Sequence, residues 1–458
     1  MIKLTDNTKK VLKIIAITLF AIYIFSLCLT WLMTIGYDNA PDEAMKFDVC
    51  NYLFKNGKIP HGGDESIRNP IWGISYAFTP ILSYMISALF MKVASIFTQG
   101  FSYMVWAARF VSVLCMTGYA IMCYKISCKL FKGVYKWIFT VFVTLLPQVV
   151  FLGSYLNNDS LALLSIAIIV YSWLTGLEKN WDWKSCITMA IGIGICALSY
   201  YNAYGYILCS IIIYLASCFI KKINIKEFFK KGIIIALVAF AIAGWWFVRN
   251  YILYDGDFMG LNTSLKYAEM YAQEQYKPSN RPTPANTGVT LKHMLVDMDW
   301  IKTTNHSFIG LFGYMSIEMN DKVYFWYNFI FIIGLAGAVI NWIISIVKKN
   351  IKKKNNETSE EKNKKREKYL FNIIMIICLI IPNLLSIIYS YYSDFQPQGR
   401  YIMPMIIPFM YFVVIGFKKI FDTIIKNEKI KNILLGILIL LWSIAPIFIY
   451  FLYIKKFL

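Results

Sequence analysis

The sequence predicts an all-α, polytopic transmembrane helical bundle of about 11–13 spans, with external loops carrying short amphipathic helices. Three observations predict it. Of 458 residues, 58% are apolar, and mean hydropathy is +0.54, whereas a soluble protein of this size rarely passes half apolar. Apolar runs of about 20 residues recur along the chain, each long enough to cross about 30 Å of hydrocarbon. Aromatic residues make up 17%, and many Trp and Tyr fall near the ends of these runs, where amphipathic rings suit the headgroup layer.

Taken in order, the candidate spans are Val11–Ile35, Ile74–Phe97, Val105–Cys123, Trp137–Tyr155, Leu161–Leu177, Ser185–Tyr200, Tyr204–Ile220, Gly232–Leu253, Val323–Val347, Leu370–Tyr392, Ile402–Phe417 and Asn432–Tyr453. The first run is too long for a signal-peptide core and lacks a small-residue cleavage site, so it reads as a retained anchor. The formal charge of +20 does not mark a nucleic-acid binder. Lys and Arg cluster in short links between spans, the positive-inside pattern. The ten Cys lie mostly inside apolar runs without a CxxC pair and read as small core residues.

The basic links set an orientation. The N-terminus with Lys3, Lys9, Lys10 and Lys13 is expected in the cytoplasm, with Lys221–Lys231, Lys348–Lys368 and Lys418–Lys431. The first loop (36–73), the loop 254–322 and Ser393–Arg400 then lie outside, and 348–368 is a solvated basic loop in one membrane domain of 458 residues. One stretch conflicts. Lys125–Lys136 is basic, yet two full crossings after the first loop would put it outside, while counting back from Lys221 puts it inside. Either a segment within Ile74–Cys123 is juxtamembrane or re-entrant, or the charge rule fails there.

Four constellations carry chemistry. In the first loop, Asp42 and Glu43 sit side by side after Pro41, followed by Lys46 and, further on, His61 and Arg68. The apolar spacing of Met45, Val49, Tyr52 and Leu53 predicts a short amphipathic helix over Glu43–Asn56 with the acid pair at its N-terminus. The bland reading is a capping Asp in an ordinary loop. The functional reading is a general base for a hydroxyl, or a ligand of a divalent metal. The second is the link Tyr155–Ser160, where Asn158 and Asp159 either cap the next helix or face the same cavity. The third is G-W-W-F-V-R-N-Y at Gly244–Tyr251. Arg249 there could simply snorkel, but with Trp245, Trp246 and Asn250 beside it, its fork suits a lipid phosphate. The fourth is Q-P-Q-G-R-Y-I-M-P at Gln396–Pro404. Arg400 opens a span on the disfavoured side, next to Gln398 and to Gly399, which permits close backbone approach. Arg109 is a further costly charge within a span, and an acid of the first loop is its natural partner.

These motifs give the chain a resemblance. P-D-E after the first span, the Asn157–Asp159 link, W-W-x-x-R-N at Trp245–Asn250 and Q-G-R-Y-x-x-P at Gln398–Pro404 resemble the polytopic GT-C glycosyltransferases. That superfamily includes protein O-mannosyltransferases and lipid A aminoarabinose transferases, and the likeness is greatest to a bacterial branch of unknown function with P-D-E-x-x-H and Q-G-R-Y signatures. The resemblance implies a GT-C fold and transfer of a sugar from a polyprenyl-phosphate carrier to a hydroxyl-bearing acceptor on the outer face. It implies Asp42 or Glu43 as catalytic base or metal ligand, and Arg249, Arg400 and Arg109 as donor-phosphate residues. Asp159, Asn158, Asn250, Gln398, Lys46 and Arg68 are further site candidates. The implied partners are the lipid-linked donor, membrane lipids and the acceptor, with no nucleic acid. No cofactor is fixed, a divalent metal being the one candidate. Two departures stand out: Lys46 replaces the His expected after P-D-E, and a His-Pro-Pro-like start of the second span reads Phe78-Thr79-Pro80. The alternatives are a lipid-linked polysaccharide polymerase or ligase, and a transporter or flippase. A proton-coupled carrier would place acids near the middle of spans, where this chain has almost none.

Overall fold

The computed structural model describes residues 5–351 and 358–457. The chain enters on α1 (Asp6–Thr34), α2 (Glu43–Asn56), α3 (Leu82–Ala94), α4 (Phe101–Leu130), α5 (Tyr135–Thr144), α6 (Pro147–Leu152), α7 (Asp159–Glu178), α8 (Trp183–Ala197), α9 (Gly205–Ile220) and α10 (Ile225–Leu253). The long loop after α10 holds α11 (Leu261–Tyr271), α12 (Leu291–Val296), α13 (Trp300–Gly310) and a hairpin of β1 (Leu311–Phe312) with β2 (Ile317–Glu318). It is followed by α14 (Asp321–Ile351), α15 (Ser359–Tyr392), α16 (Gly399–Ile402), α17 (Ile406–Ile424) and α18 (Glu428–Ile449).

Among the described residues, nine helices are long and apolar enough to cross a membrane. Three of the expected spans are shorter than their hydropathy suggested. α3 has 13 residues and is about 20 Å long. α8 has 15. The run Trp137–Tyr155 is broken at Leu145–Leu146, where Pro147 cannot continue α5 and instead opens α6. The stretch 348–368, expected as a loop, is helical at both flanks, since α14 runs to Ile351 and α15 begins at Ser359. The rest of it, 352–357, lies outside the described residues.

Contacts sort the helix termini into two ends. At one end, Lys13 lies over the Tyr124 ring at 5.8 Å, and Lys129 pairs with Glu178. There too Lys221 pairs with Glu367 at 2.8 Å, and Tyr135 donates to Asp422, which also holds Lys418 and Lys431. This basic end gathers the Lys-rich links among the described residues, including Lys125–Lys136. The conflict over that stretch has a geometric answer. Arg109, in the third turn of α4, donates to the last carbonyls of α1. α4 therefore starts at the end where α1 finishes, and short α3 does not carry the chain across.

Close packing inside the bundle rests on glycine. A Cβ on Gly416 of α17 would stand 1.7 Å from the Gly334 carbonyl oxygen of α14, so the two helices can meet only without side chains there. Gly399 does the same for the site: its Cβ would lie 2.0 Å from the Phe308 nitrogen, and the bare backbone lets α16 lie against α13.

Candidate active site

At the end opposite the lysines, α1 stops at Thr34 and the chain turns through two aspartates with left-handed backbone. Asp38 and Asp42 both have φ of 60°, a conformation Asp tolerates better than most residues. The turn splits the acid pair. Glu43 points inward and Asp42 points towards the later helices.

Glu43 is 1% exposed, as is Arg109. Arg109 donates from Nε to Glu43 Oε1 at 2.7 Å and from Nη2 to Oε2 at 2.6 Å. Its other N–H groups go to the carbonyls of Leu32 at 3.0 Å, Ile35 at 2.6 Å and Gly36 at 2.8 Å. All five guanidinium donors are used. The Glu43 carboxylate also accepts the backbone N–H of Leu156 at 3.0 Å and of Asp38 at 3.1 Å. This is a latch joining α1, α2, α4 and the link before α7. It is the pairing of Arg109 with an acid of the first loop that the sequence led one to expect. Glu43 has no room to act as a base, and Arg109 has no N–H left for a phosphate.

Asp42 occupies the N-cap position of α2 but makes no capping hydrogen bond. Arg400 Nη2 donates to its Oδ2 at 2.7 Å. Lys46 Nζ lies 3.8 Å from the same oxygen, and the Tyr76 hydroxyl reaches the carboxylate too. Burial raises the Asp42 pKa, but Arg400 and Lys46 outweigh it and hold the carboxyl well below the usual range. At 31% side-chain exposure, Asp42 is the open member of the group, since Arg400 is 9% and Lys46 1% exposed. Lys46 donates to the Pro41 carbonyl at 2.9 Å and faces the rings of Tyr76 and Tyr155 at 5.2 and 5.8 Å. Burial pushes its pKa down to about 8, against the pull of Asp42. Asp159, buried at the start of α7, lies within the field of Lys46, Arg400 and Asp42.

Arg400 is aimed by a ladder of side chains. Residues 394–398 have no regular secondary structure, and alternate side chains share one face. Arg400 Nε donates to Gln398 Oε1 at 2.6 Å, Gln398 donates to Gln396, and Gln396 to Asp394 at 3.0 Å. Asp394 pairs with Arg281 of the long loop at 3.5 Å. The bonds of Arg400 run through Nε and Nη2, including a long one to the Tyr401 hydroxyl at 3.4 Å.

The remaining candidates fall elsewhere. Asn158 donates to the Ser199 carbonyl at 3.0 Å and makes no cap, a role taken by Asn157, whose Oδ1 accepts the Ser160 N–H. Arg249 donates to Asn250 Oδ1 at 3.1 Å and to the Pro60 carbonyl at 2.7 Å; among the described residues nothing links it to Asp42, Lys46 or Arg400. Arg68 stacks on Tyr271 at 3.8 Å and docks the first loop on α11. Sequence reasoning missed Tyr76, Tyr155 and Tyr314, the last donating to Asp38. They carry no motif and look like ordinary interfacial aromatics.

A divalent metal does not fit these residues. No group of three or more His, Cys, Asp or Glu able to hold one occurs among the described residues. Glu43 is saturated by Arg109, and the ammonium of Lys46 sits where another ligand to an Asp42-bound cation would be needed.

Residues 59–410 match the family described as "Predicted membrane protein (DUF2142)". The chain belongs to this family. It is similar in structure to the oligosaccharyltransferase of Archaeoglobus fulgidus, solved tethered to an acceptor peptide, with TM-score 0.50 and 12% identity over 94% of this chain. The chain spans about half that enzyme's length, 54% of it. It is also similar to ArnT from Cupriavidus metallidurans, solved with undecaprenyl phosphate, with TM-score 0.41 and 10% identity over 89% of this chain and 77% of that one. No curated protein matches the sequence. This DUF2142 chain thus shares its fold with the archaeal oligosaccharyltransferase.

Proposed function

We propose that this chain is a membrane glycosyltransferase that moves a sugar from a polyprenyl-phosphate carrier to a hydroxyl of a cell-envelope glycan, lipid or protein. One observation carries the reading. A half-open carboxylate, Asp42, meets two buried cations, Lys46 and Arg400, at one point, although Arg400 lies 358 residues further along the chain. A lipid-phosphate leaving group needs the cations and a hydroxyl nucleophile needs the acid. The shared fold with an archaeal oligosaccharyltransferase agrees with it. Under the positive-inside rule the basic end faces the cytoplasm, which puts Asp42 on the extracytoplasmic side.

In this mechanism the donor phosphate enters beside Arg400 and Lys46. Nη1 of Arg400, which makes no hydrogen bond among the described residues, takes a phosphate oxygen. As Arg400 turns to the phosphate, its grip on Asp42 weakens and the carboxylate becomes more basic. Asp42 accepts the proton of the acceptor hydroxyl. The acceptor oxygen bonds to the anomeric carbon, and the bond from that carbon to the phosphate oxygen breaks. The charge growing on the departing lipid phosphate is held by the two cations, already oriented by the Gln398 ladder and the tyrosine rings.

The test is transfer by the purified protein in liposomes containing polyprenyl-phosphate sugars. Mass spectrometry of the product separates one added sugar from block transfer by a polymerase or ligase. Movement of the lipid-linked sugar across the bilayer with no covalent product, and with Asp42→Asn as active as the wild type, would replace this reading with a flippase.

A further inference from the structure

The long loop reaches the site through a strap. From Ala272 to Thr290 the chain has no helix or strand beyond one turn at Glu274–Tyr276, so its position depends on what it touches. At its first end, the Gln273 N–H donates to the Ile71 carbonyl at 3.0 Å, and Tyr276 packs on Trp72 of the first loop with ring centroids 4.9 Å apart. At its far end, the Ala285 N–H donates to the Tyr391 carbonyl at 3.1 Å, and the Tyr391 hydroxyl donates to the Val289 carbonyl at 2.9 Å. The strap thus ties the first loop to the end of α15. Arg281 stands between the two ends. It lies over the Trp72 ring at 5.1 Å, donates from Nη2 to the Tyr276 carbonyl at 3.1 Å, and pairs through Nη1 with Asp394 Oδ2 at 3.5 Å.

Asp394 begins the ladder that ends on Arg400, and chemistry fixes the direction of that ladder. An ionised carboxylate only accepts hydrogen bonds, and a guanidinium only donates them. Each glutamine between the two must therefore turn its NH₂ group towards Asp394 and its oxygen towards Arg400. The bonds run that way: Gln396 Nε2 to Asp394 Oδ2, Gln398 Nε2 to Gln396 Oε1, and Arg400 Nε to Gln398 Oε1. The main chain beneath is held as well. Gln396 bonds through its carbonyl and N–H to the Ser390 hydroxyl, which also accepts the Trp300 indole N–H at 2.9 Å. A donor in place of Asp394 would leave two donors face to face somewhere along the ladder.

We propose that Asp394 and Arg281 are positioning residues for transfer. The docked strap, through Arg281, holds Asp394, and Asp394 sets the polarity of the ladder that aims Arg400. The inference rests on the glycosyl-transfer reading. With the strap docked, Gln398 engages Arg400 Nε and the guanidinium keeps one orientation towards Asp42. With the strap lifted, the head of the ladder loses its anchor and Arg400 loses its aim, which lowers the rate of the chemical step more than the binding of substrate. Transfer is thereby coupled to the state of the long loop by two residues that do not touch the reacting atoms.

The full-length protein in liposomes with polyprenyl-phosphate sugars supplies kcat and KM, and hydrogen exchange at the Ala285 amide reads docking of the strap. Asp394→Ala removes the acceptor, and kcat is expected to fall about tenfold with the donor KM within about twofold. Asp394→Asn keeps an acceptor oxygen and is expected to recover to within about threefold of the wild type. Arg281→Gln should speed exchange and lower kcat about threefold. The double variant Arg281→Asp with Asp394→Arg rebuilds the ion pair but heads the ladder with a donor. Its exchange should be slow, as in the wild type, while kcat stays about tenfold down. If that variant does not dock, the order of Asp394→Ala below Asp394→Asn decides the matter, and equal kcat in those two overturns the proposal. A double variant that regains both docking and transfer also overturns it, because the pair is then only a clasp. So does Arg281→Gln with a loosened strap and wild-type kcat. A wild type that transfers no sugar ends both readings. A wild type that transfers, with Asp394→Ala its equal, ends this one alone.

Discussion

At the basic end, the helices beginning at Asp6, Trp183, Ile225, Ser359 and Glu428 start on side-chain caps from Thr5, Asp182, Asn224, Thr358 and Asn427. At the opposite end, those beginning at Glu43, Asp159 and Gly399 have no such cap at the preceding residue. The residue types alone do not account for this, because Asp42 and Asn158 are good cappers placed correctly. Their side chains are engaged elsewhere, Asp42 on Arg400 and Asn158 on Ser199. The basic end satisfies its backbone locally with exposed partners. At the site end the first N–H groups are held from further back in the chain, Ala44 by Asp38 Oδ1 at 3.1 Å and Ser160 by Asn157 Oδ1 at 2.9 Å. The ion pairs differ likewise. Asp422 at the basic end is partly solvated, whereas Glu43 and Arg109 are sealed.

The largest effect expected is on chemistry. Asp42→Asn keeps the shape of the side chain and removes the base, so sugar transfer in liposomes should fall about 10²- to 10⁴-fold while the protein stays membrane-inserted. Transfer within threefold of wild type would leave the pocket without its acid. Next comes stability. Arg109→Gln strands a buried carboxylate, which typically costs about 3–5 kcal/mol, and should show as loss of monodisperse protein or a large fall in Tm. Asp422→Asn at the basic end should cost no more than about 1 kcal/mol. Equal costs for the two would erase the contrast between the ends.

Hydropathy made the spans legible because burial in lipid demands apolar residues in bulk. It did not set apart α3, too short to cross, or the break at Pro147 into α5 and α6, since both runs are predominantly apolar. The acid pair and Arg400 were visible as motifs. The division of labour between Asp42 and Glu43 was not, because it depends on the left-handed backbone at Asp42 and on the carbonyls of Leu32, Ile35 and Gly36 arriving at Arg109. Arg249 shared a donor-phosphate reading with Arg400 from its motif alone, yet its guanidinium lies against the Pro60 carbonyl. Tyr76 and Tyr155 were hidden in a chain rich in Tyr, where nothing marks one ring as facing a lysine.

Lys46 sharpens the comparison, because the bulk of lysine at the basic end is solvated and Lys46 is not. Its pKa, pushed down to about 8 by burial, lies within reach of ordinary assays. The protonated form is the one that holds a phosphate, so its fraction and the transfer rate should fall as pH rises through about 8. Lys46→Met should lose roughly a hundredfold at neutral pH, as one fixed charge donor is removed. Lys46→Arg, which stays protonated throughout, should move the alkaline limb upward. A profile flat to pH 10 in the wild type would mean that the ammonium takes no part.

The smallest effect concerns the caps. Thr358→Ala removes half of a capping box in which Thr358 accepts the Glu361 N–H at 3.2 Å and Glu361 accepts the Thr358 N–H at 3.0 Å. Asn427→Ala removes an acceptor for the N–H groups of Lys429 and Ile430. Each should cost about 1 kcal/mol in thermal unfolding and leave transfer unchanged, since both lie at the end away from the pocket. Asp42→Asn should act chiefly on transfer. The native side chain makes no cap to lose, but Asn leaves buried Arg400 and Lys46 without their counter-ion, so thermal stability should fall in part while activity collapses. If the cap variants lowered transfer, or Asp42→Asn lowered stability in proportion to activity, the two ends would not have divided folding from chemistry.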